Sequence, residues 1–476
     1  MNFKAIACMG LAAITILAAT SCKKEETNKK TDISVDTEDE YIQHLLIEDY
    51  EGYNFRILTR KTMLADQYVE EETGDIISDA VFKRNETVKA LLNCDITASE
   101  SSSAGAETDA LSSILAGDDQ YDIIFPHSRS AFSYAIQNTL INYNEVDTLH
   151  LDKPWWSKDI IDSCNVNGHL YVLDGDISTH RLEYAMTLFF NKKLFDELGF
   201  EYPYEMVIDG DWTFDQFAKL VKKGSKDLNG DGVMNPADDQ YGFYSSDWQS
   251  PISILYTGGQ RIYNKDAKGI PQLSLNTSKT VDIFTKYFNL VDSDDVFVKT
   301  EQPSSGYGAT YSGDDLFTSG RALFQDAGLG TAKNKRAMND DFGILPLPKF
   351  TQDDNYATIV NGHASLMLMP ITVKDENRTG NIAEALCAIG SKEVIPAFYE
   401  VSLKTKFARD AESEKMIDII KDSIIYDLGY VSGGTFQSVG RDLLYSGGEF
   451  SSNYASNENA ALNKLKEFNK AYGKIG

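Results

Sequence analysis

The stretch from Asp227 to Asp238, DLNGDGVMNPAD, places oxygen-bearing side chains at the spacing of a twelve-residue calcium loop. Gly232 stands at the sixth position, where such loops turn sharply. The pattern predicts a structural calcium ion with no catalytic role, and the alternative is an Asx-rich turn without metal. The predicted ligands are Asp227, Asn229, Asp231, the backbone carbonyl of Val233, Asn235 and Asp238.

Motifs that would indicate a reaction are missing from the sequence. There is no His-Glu metalloprotease motif, nucleophile elbow or phosphate-binding glycine loop. We therefore predict no catalytic residue and no catalytic cofactor. The carboxylate pair of a glycoside hydrolase is defined by spatial separation, so the 72 acidic residues leave that alternative open. The six histidines are His44, His127, His150, His169, His180 and His363.

Composition restricts the class of protein further. The formal net charge is -27, which makes nucleic acid and anionic membrane surfaces poor partners. With 476 residues, of which 42% are hydrophobic, the chain can build more than one core. After residue 22 the cysteines are Cys94, Cys164 and Cys387, an odd and widely spaced set. We expect them to be buried free thiols rather than a disulfide framework.

Strand-like and helix-like segments alternate along the chain, which predicts an α/β fold with mostly parallel sheets flanked by helices. Segments 52–60 and 121–126 have strand composition, and 75–92 has helical spacing of apolar residues. NGHLYVLDGDI and ASLMLMP are also predicted to be strands. Thr213 and Gln216 have the spacing of a capping box at a helix start.

The first 21 residues have the features of an export signal. Lys4 precedes an apolar run from Ala5 to Ala19, and Cys22 follows in a setting that resembles the lipobox of bacterial lipoproteins, although Ala19 replaces the usual leucine. We expect Cys22 to be lipidated and residues 22–40 to form a flexible tether. The alternative is an ordinary secretory signal in which Cys22 is incidental. No later segment is long and apolar enough to span a membrane, so attachment is expected through the lipid alone.

Several strings, taken in order, resemble the extracellular solute-binding proteins of ATP-driven importers, in particular the sugar-binding family that includes maltose-binding protein. They are YDIIFPHSRSAFSYAIQNTLI, NGHLYVLDGDI with MTLFFNKKLF, and GRALFQDAG with DFGILPLPKF, and together they span roughly residues 50 to 400. The resemblance implies two lobes joined by hinge strands that close on a ligand. It also implies an extracytoplasmic, monomeric binding protein, not an enzyme, that delivers a carbohydrate to permease subunits. Relatives in this family also carry calcium-type loops.

The resemblance implies a domain order as well. The predicted parts are the signal peptide 1–21, the tether 22–40, lobe one 41–178, lobe two 179–324, a return to lobe one 325–375, and C-terminal helices 376–476 that contribute to both lobes.

Within that framework, polar residues near the lobe junction are candidate ligand contacts. His127 and Arg129 follow the strand YDIIF, with Pro126 where sugar-binding relatives present an aromatic; Arg129 could instead bind a neighbouring carboxylate. Asp176, Glu183 and Tyr184 lie at the predicted crossover between lobes, where the alternative is solvated turn chemistry.

Aromatic residues supply the other candidates. Trp248, flanked by Asp247 and Gln249, suits the apolar face of a sugar ring, and the alternative is a buried core tryptophan. Of the adjacent Trp155 and Trp156 we expect one to pack and one to be exposed, which makes Trp156 a candidate. Trp212 is interpreted as a hydrophobic staple. Asp326 is expected near the cleft floor. The functional alternatives are a lipid-anchored glycoside hydrolase and a surface glycan-adhesion lipoprotein.

Overall fold

The computed structural model describes residues 39–102, 107–300, 315–335, 337–404 and 411–474, and it confirms the predicted α/β class. The predicted signal peptide, Cys22 and nearly all of the tether lie outside the described residues. Within the described ranges, no helix is long and apolar enough to cross a membrane.

The elements are numbered in chain order. The strands are β1 Tyr53–Thr59, β2 Cys94–Glu100, β3 Ile123–Phe125, β4 Met186–Asn191, β5 Tyr241–Ser246, β6 Tyr263–Lys265, β7 Pro271–Leu273, β8 Val296–Lys299, β9 Ala322–Gly328, β10 Phe342–Pro346, β11 Thr358–Ile359 and β12 Ile424–Ile425. The α-helices are α1 Ile76–Leu92, α2 Glu107–Ala116, α3 Ser128–Ile136, α4 Lys158–Cys164, α5 His180–Glu183, α6 Lys192–Leu198, α7 Tyr204–Ile208, α8 Phe214–Gly224, α9 Ser250–Thr257, α10 Ser278–Val291, α11 Glu376–Lys404, α12 Ala411–Asp422, α13 Leu428–Val431, α14 Val439–Ser446 and α15 Phe450–Lys474. Short 3-10 turns cover Leu64–Asp66, Tyr143–Glu145 and Leu329–Lys335.

The first lobe is built on a parallel sheet with the order β2-β1-β3. Thr59 at the end of β1 is paired with Glu100 on one side and Phe125 on the other. Because parallel strands end at one edge, the segments that follow β1 and β3 emerge side by side. All three residues of β3 are buried, as expected for a strand covered on both faces.

The second lobe is built on a mixed sheet with the order β10-β4-β9-β5-β8. β5 runs parallel to β8 and β9, whereas β4 is antiparallel to β9 and β10. The prediction that residues 325–375 belong to lobe one is thereby corrected for β10, because this strand pairs with β4 in the second sheet.

Two extended segments, 167–177 and 364–370, lie before the chain enters the second sheet and after it leaves that sheet. Both were predicted to be regular strands, but they are paired through isolated bridges, Leu173 with Met367 and Ile124 with Leu368. A further bridge joins Ala185 to Val360 next to the start of β4. Single bridges fix the path of these segments without a continuous ladder, which is the kind of connection that suits a hinge.

Local signals in the sequence were borne out unevenly. Helix α6 is closed by Gly199, whose φ of 67° is the left-handed conformation that commonly ends a helix. The capping box at Thr213 was wrong, since its side chain makes no capping hydrogen bond. Thr213 instead bridges Lys349, and the Phe214 amide donates to the Lys349 carbonyl at 2.7 Å. A tertiary contact has replaced the local cap.

Aromatic packing fills the second lobe. Phe324 contacts the rings of Phe217 and Phe195, with centroids 5.2 and 5.5 Å away. Trp212 is fully buried in the same layer and donates its indole N–H to the Pro346 carbonyl at 3.0 Å. The prediction for the cysteines is confirmed: Cys94, Cys164 and Cys387 are buried and free.

Candidate functional site

Polar side chains from both lobes meet beyond the carboxyl ends of the parallel strands. Arg60 follows β1, His127 and Arg129 follow β3, and Asp247 and Trp248 follow β5. In open α/β sheets, ligands bind at the edge formed by the carboxyl ends of the strands. The residues that reach this junction are called the cleft residues.

Trp248 is the central aromatic residue of the cleft. The guanidinium carbon of Arg129 lies 4.8 Å from the Trp248 ring centroid, and that of Arg441, on α14, lies 3.9 Å away. The tryptophan is half-buried, whereas Trp155, Trp156 and Trp212 are all buried. Trp248 therefore offers a ring in the cleft that is covered by cations rather than by the core.

Asp247 orients one of those cations. Its Oδ2 atom lies 3.2 and 3.3 Å from two nitrogens of Arg441, and it also accepts a hydrogen bond from the Tyr445 hydroxyl. Burial and the adjacent Asp247 carboxylate raise the pKa of Tyr445, so the phenol stays protonated as a donor. Gln249 accepts from the Ser246 hydroxyl at 2.6 Å, which fixes its amide at the start of α9.

His127 is a neutral residue at the start of α3. Its Nδ1 atom accepts from the Arg129 amide at 3.3 Å, and its ring meets that of His363 edge-on at a centroid distance of 5.3 Å. Burial, followed by the positive charges of Arg129 and Arg60, lowers the pKa of His127 to about 3. At neutral pH His127 contributes a hydrogen-bonding ring and no charge.

The crossover residues Glu183 and Tyr184 lie at the base of the cleft. Glu183 forms an ion pair with Lys333, and the Tyr184 carbonyl accepts from the Asn361 amide at 2.9 Å. Burial, followed by the charge of Glu183, raises the pKa of Tyr184 to about 12, which keeps its hydroxyl protonated. Both predicted residues therefore reach the lobe junction.

His180 and Asp66 form a second polar contact at this base. His180 Nε2 lies 2.8 Å from Asp66 Oδ2, and its Nδ1 accepts from the Ser365 amide at 3.3 Å. Burial opposes charge on the imidazole, but Asp66 outweighs it and raises the pKa of His180. The contact ties the turn after β1 to the crossover.

Three predicted candidates have their contacts in the interior: Asp176, Trp156 and Asp326. Asp176 is buried in an ion pair with Arg181 at 2.5 Å. Trp155 and Trp156 both donate indole N–H groups to Glu384, at 2.9 and 2.8 Å. The expectation that one of the two tryptophans is exposed was wrong. Both indoles reach one buried carboxylate on α11, and their exposed fractions are 2% and 3%.

Asp326 borders a small, half-open cavity of about 30 Å³ beneath α9, which it lines with Tyr287 and Ser253. None of these three side chains has a hydrogen-bond partner among the described residues, although Ser245 is close enough to Asp326 to favour its ionised form. Burial dominates and raises the pKa of Asp326 to about 7. The carboxyl is thus an internal group of the second lobe, with room for one or two ordered waters beside it.

The predicted calcium loop folds around its own amides. Asp227 accepts from Gly230 and Gly232 at 2.6 and 2.8 Å, and Asp231 accepts from Val233 at 2.8 Å. Asp238 is exposed, whereas the neighbouring Asp239 is buried and accepts from the Leu228 and Asn235 amides at 2.8 Å. Across the described residues, no three His, Cys, Asp or Glu side chains are grouped to hold a metal ion. Calcium binding therefore stays a prediction.

Two α/β lobes, bridged segments between them and a polar junction at the strand ends define a two-lobed binding-protein fold. Residues 89–374 match the model of the bacterial extracellular solute-binding protein family, and the chain belongs to that family. A search of curated proteins found no match.

Solved structures share the fold at low sequence identity. An ABC substrate-binding protein from Listeria monocytogenes in complex with cycloalternan has a TM-score of 0.53 and 15% identity, covering 89% of this chain and 99% of that one. The maltose/maltodextrin-binding domain MalE from Bdellovibrio bacteriovorus, bound to maltotriose, has a TM-score of 0.52 and 14% identity, and the match covers 89% of this chain and 99% of that one. UgpB from Mycobacterium tuberculosis, in complex with glycerophosphocholine, has a TM-score of 0.58 and 14% identity, and the match covers 87% of this chain and 98% of that one.

Proposed function

We propose that the protein captures a mono- or oligosaccharide in the cleft between its lobes and delivers it to the permease of an ABC importer. The observation that carries the proposal is the position of Trp248. Its half-buried ring follows β5 of the second lobe and contacts Arg129, which follows β3 of the first. A flat ring with polar neighbours suits stacking against a sugar, and contact across the junction suits closure around it.

The proposed binding set contains the predicted residues that reach this junction: His127, Arg129, Glu183, Tyr184, Asp247, Trp248 and Gln249. Asp176, Trp156 and Asp326 are left out because their partners or surroundings lie in the interior. The fold neighbours bound to cycloalternan and to maltotriose support carbohydrate as the ligand class.

A carboxylate pair for glycoside hydrolysis is not what the cleft residues suggest. Asp66 contacts His180, Glu183 pairs with Lys333, and Asp247 pairs with Arg441. Each of these carboxylates is committed to a basic side chain, whereas a glycoside hydrolase needs two carboxyl groups that face the scissile bond. This pairing favours binding over catalysis.

The experiment is a thermal-shift screen of soluble mono- and oligosaccharides, followed by calorimetry on those that raise the melting temperature. We expect at least one soluble sugar to bind without being cleaved. Release of reducing sugar from the screened glycans would support the hydrolase instead. Binding to insoluble polymer with no response to any soluble sugar would support adhesion.

We further propose that Cys22 carries the lipid that keeps the receptor near its permease, with residues 22–40 as the tether. Expression of Cys22→Ala in a bacterial host tests this: the variant should move from the membrane fraction to the soluble exported fraction. Retention of the variant on membranes would contradict the anchor and leave the binding proposal intact.

A further inference from the structure

At the cleft, three carboxylates have basic partners, whereas one arginine has no carboxylate partner among the described residues. Asp66, Glu183 and Asp247 each contact a histidine, lysine or arginine, as described above. Arg129, by contrast, has no ion pair and donates no side-chain hydrogen bond among the described residues; its guanidinium contacts the Trp248 ring. In a chain of net charge -27, an arginine without a carboxylate at the predicted binding junction is unexpected.

Arg129 is held in place rather than free in solvent. Gly362 lies against its side chain so closely that a Cβ atom there would be 2.6 Å from Nε and 3.0 Å from Cδ. The Trp248 ring supports the guanidinium from the other lobe at 4.8 Å. An exposed cation–π contact is weaker than the two-pronged bond that an arginine makes with an anion.

The surroundings also favour negative charge. Arg60 is buried nearby, with its Nε donating to the Ser365 hydroxyl at 3.1 Å, and its positive charge reaches His127. Arg129 lies in the first turn of α3 and Trp248 lies just before α9, and helix starts bear a partial positive charge.

We propose, on the basis of the saccharide-binding function above, that the ligand is an acidic saccharide whose anionic group pairs with Arg129. A uronate carboxylate and a sulfate ester share the required chemistry, since both present two oxygens to a guanidinium. Pairing with the ligand moves Arg129 off Trp248, while Arg441 stays on the ring and on Asp247. The anion thus replaces the contact between Arg129 and the Trp248 ring.

Matched ligand pairs test the proposal by calorimetry. Galactobiose is compared with digalacturonate of the same linkage, and with a sulfated galactobiose, so that the two anionic groups are separated. We expect at least one acidic member to bind roughly tenfold or more tightly than its neutral partner, with an advantage that shrinks at high salt. Tighter binding of digalacturonate would identify a carboxylate as the anionic group, and tighter binding of sulfated galactobiose would identify a sulfate ester.

Arg129→Gln is expected to weaken binding of the acidic member much more than binding of the neutral one, so that the preference is lost, and Arg129→Lys is expected to retain part of the preference. Arg378→Gln is the matched control, because Arg378 also lies over a ring, that of Tyr53, but at the opposite end of β1. Equal affinity for neutral and acidic members, or an equal loss for both in Arg129→Gln, would overturn the inference. Failure of every neutral and acidic sugar, in this set and in the broader screen, would instead contradict the saccharide function on which it rests.

Discussion

The guanidinium of Arg129 lies 4.8 Å from the ring centroid of Trp248, so a residue from the first lobe contacts one from the second. Arg129 stands in the first turn of α3, which follows β3, and Trp248 stands in the loop that follows β5. The two strand edges therefore face a common junction. A ligand that enters there meets a cation and an aromatic ring on different lobes.

Removal of the Trp248 ring should weaken ligand binding without unfolding the protein. An aromatic contact adds about 0.5–1.5 kcal/mol beyond the area it buries, so we expect Trp248→Ala to raise the Kd of a bound sugar by roughly tenfold or more. Trp156→Phe is the control, since Trp156 is buried on Glu384 and should affect melting temperature but not Kd. Titration calorimetry of both variants would distinguish these effects, and unchanged affinity in Trp248→Ala would count against the site.

Glu384 should be a large contributor to stability. It accepts from the indoles of Trp155 and Trp156 and from the His150 amide at 3.2 Å. Glu384→Ala leaves these buried donors without acceptors, which we expect to lower the free energy of unfolding by about 3 kcal/mol. Glu384→Gln keeps an acceptor oxygen and should cost less. Urea denaturation of the two variants checks the order, and equal stabilities would contradict it.

The buried carboxyl of Asp326 predicts a pH dependence of stability. Burial raises its pKa from 3.8 to about 7 in the native state. Between these values the unfolded chain has lost a proton that the native state retains, so the free energy of unfolding falls as pH rises through this window. Asp326→Asn removes this contribution and should therefore gain stability relative to the wild type from about pH 4 to about pH 8. A stability difference that does not change with pH would exclude this assignment.

Calcium should stabilise the 227–238 loop. At a free concentration of about one hundred times Kd, binding adds about 2.7 kcal/mol to stability, so a chelator should lower the melting temperature. Asp231→Ala should abolish the response to chelator. Asp266→Ala is the matched control, since Asp266 closes another turn by accepting from the Lys268 and Ile270 amides at 2.8 and 3.0 Å. A chelator response that persists in Asp231→Ala would rule out the loop as the calcium site.

Much of the fold could be predicted from the sequence because the relevant signals are local. The strand over 52–60 and the helix over 75–92 match β1 and α1 within a residue or so, since apolar spacing determines both. The crossover segments were predicted less well. Their conformation depends on pairing between positions such as Leu173 and Met367, which lie far apart in sequence.

Only part of the candidate site could be predicted from the sequence. Arg129 was predicted because it follows a recognisable strand, and Trp248 because polar residues flank its ring. Arg441, Tyr445 and Lys333 were missed, because nothing near them in sequence marks them as neighbours of Trp248 or Glu183. The Trp155 and Trp156 pair misled for a related reason: alternation of side chains predicts opposite environments, whereas a distant carboxylate receives both indoles.

The most direct test of the central claim uses the intrinsic fluorescence of the four tryptophans. Three of them are buried and Trp248 is half-buried in the cleft, so a ligand bound there should alter the emission of Trp248. We predict a saturable fluorescence change on titration with a sugar that binds by calorimetry, and loss of that change in Trp248→Phe while calorimetric binding persists. A change of undiminished size in Trp248→Phe would show that the sugar binds elsewhere and would contradict the account.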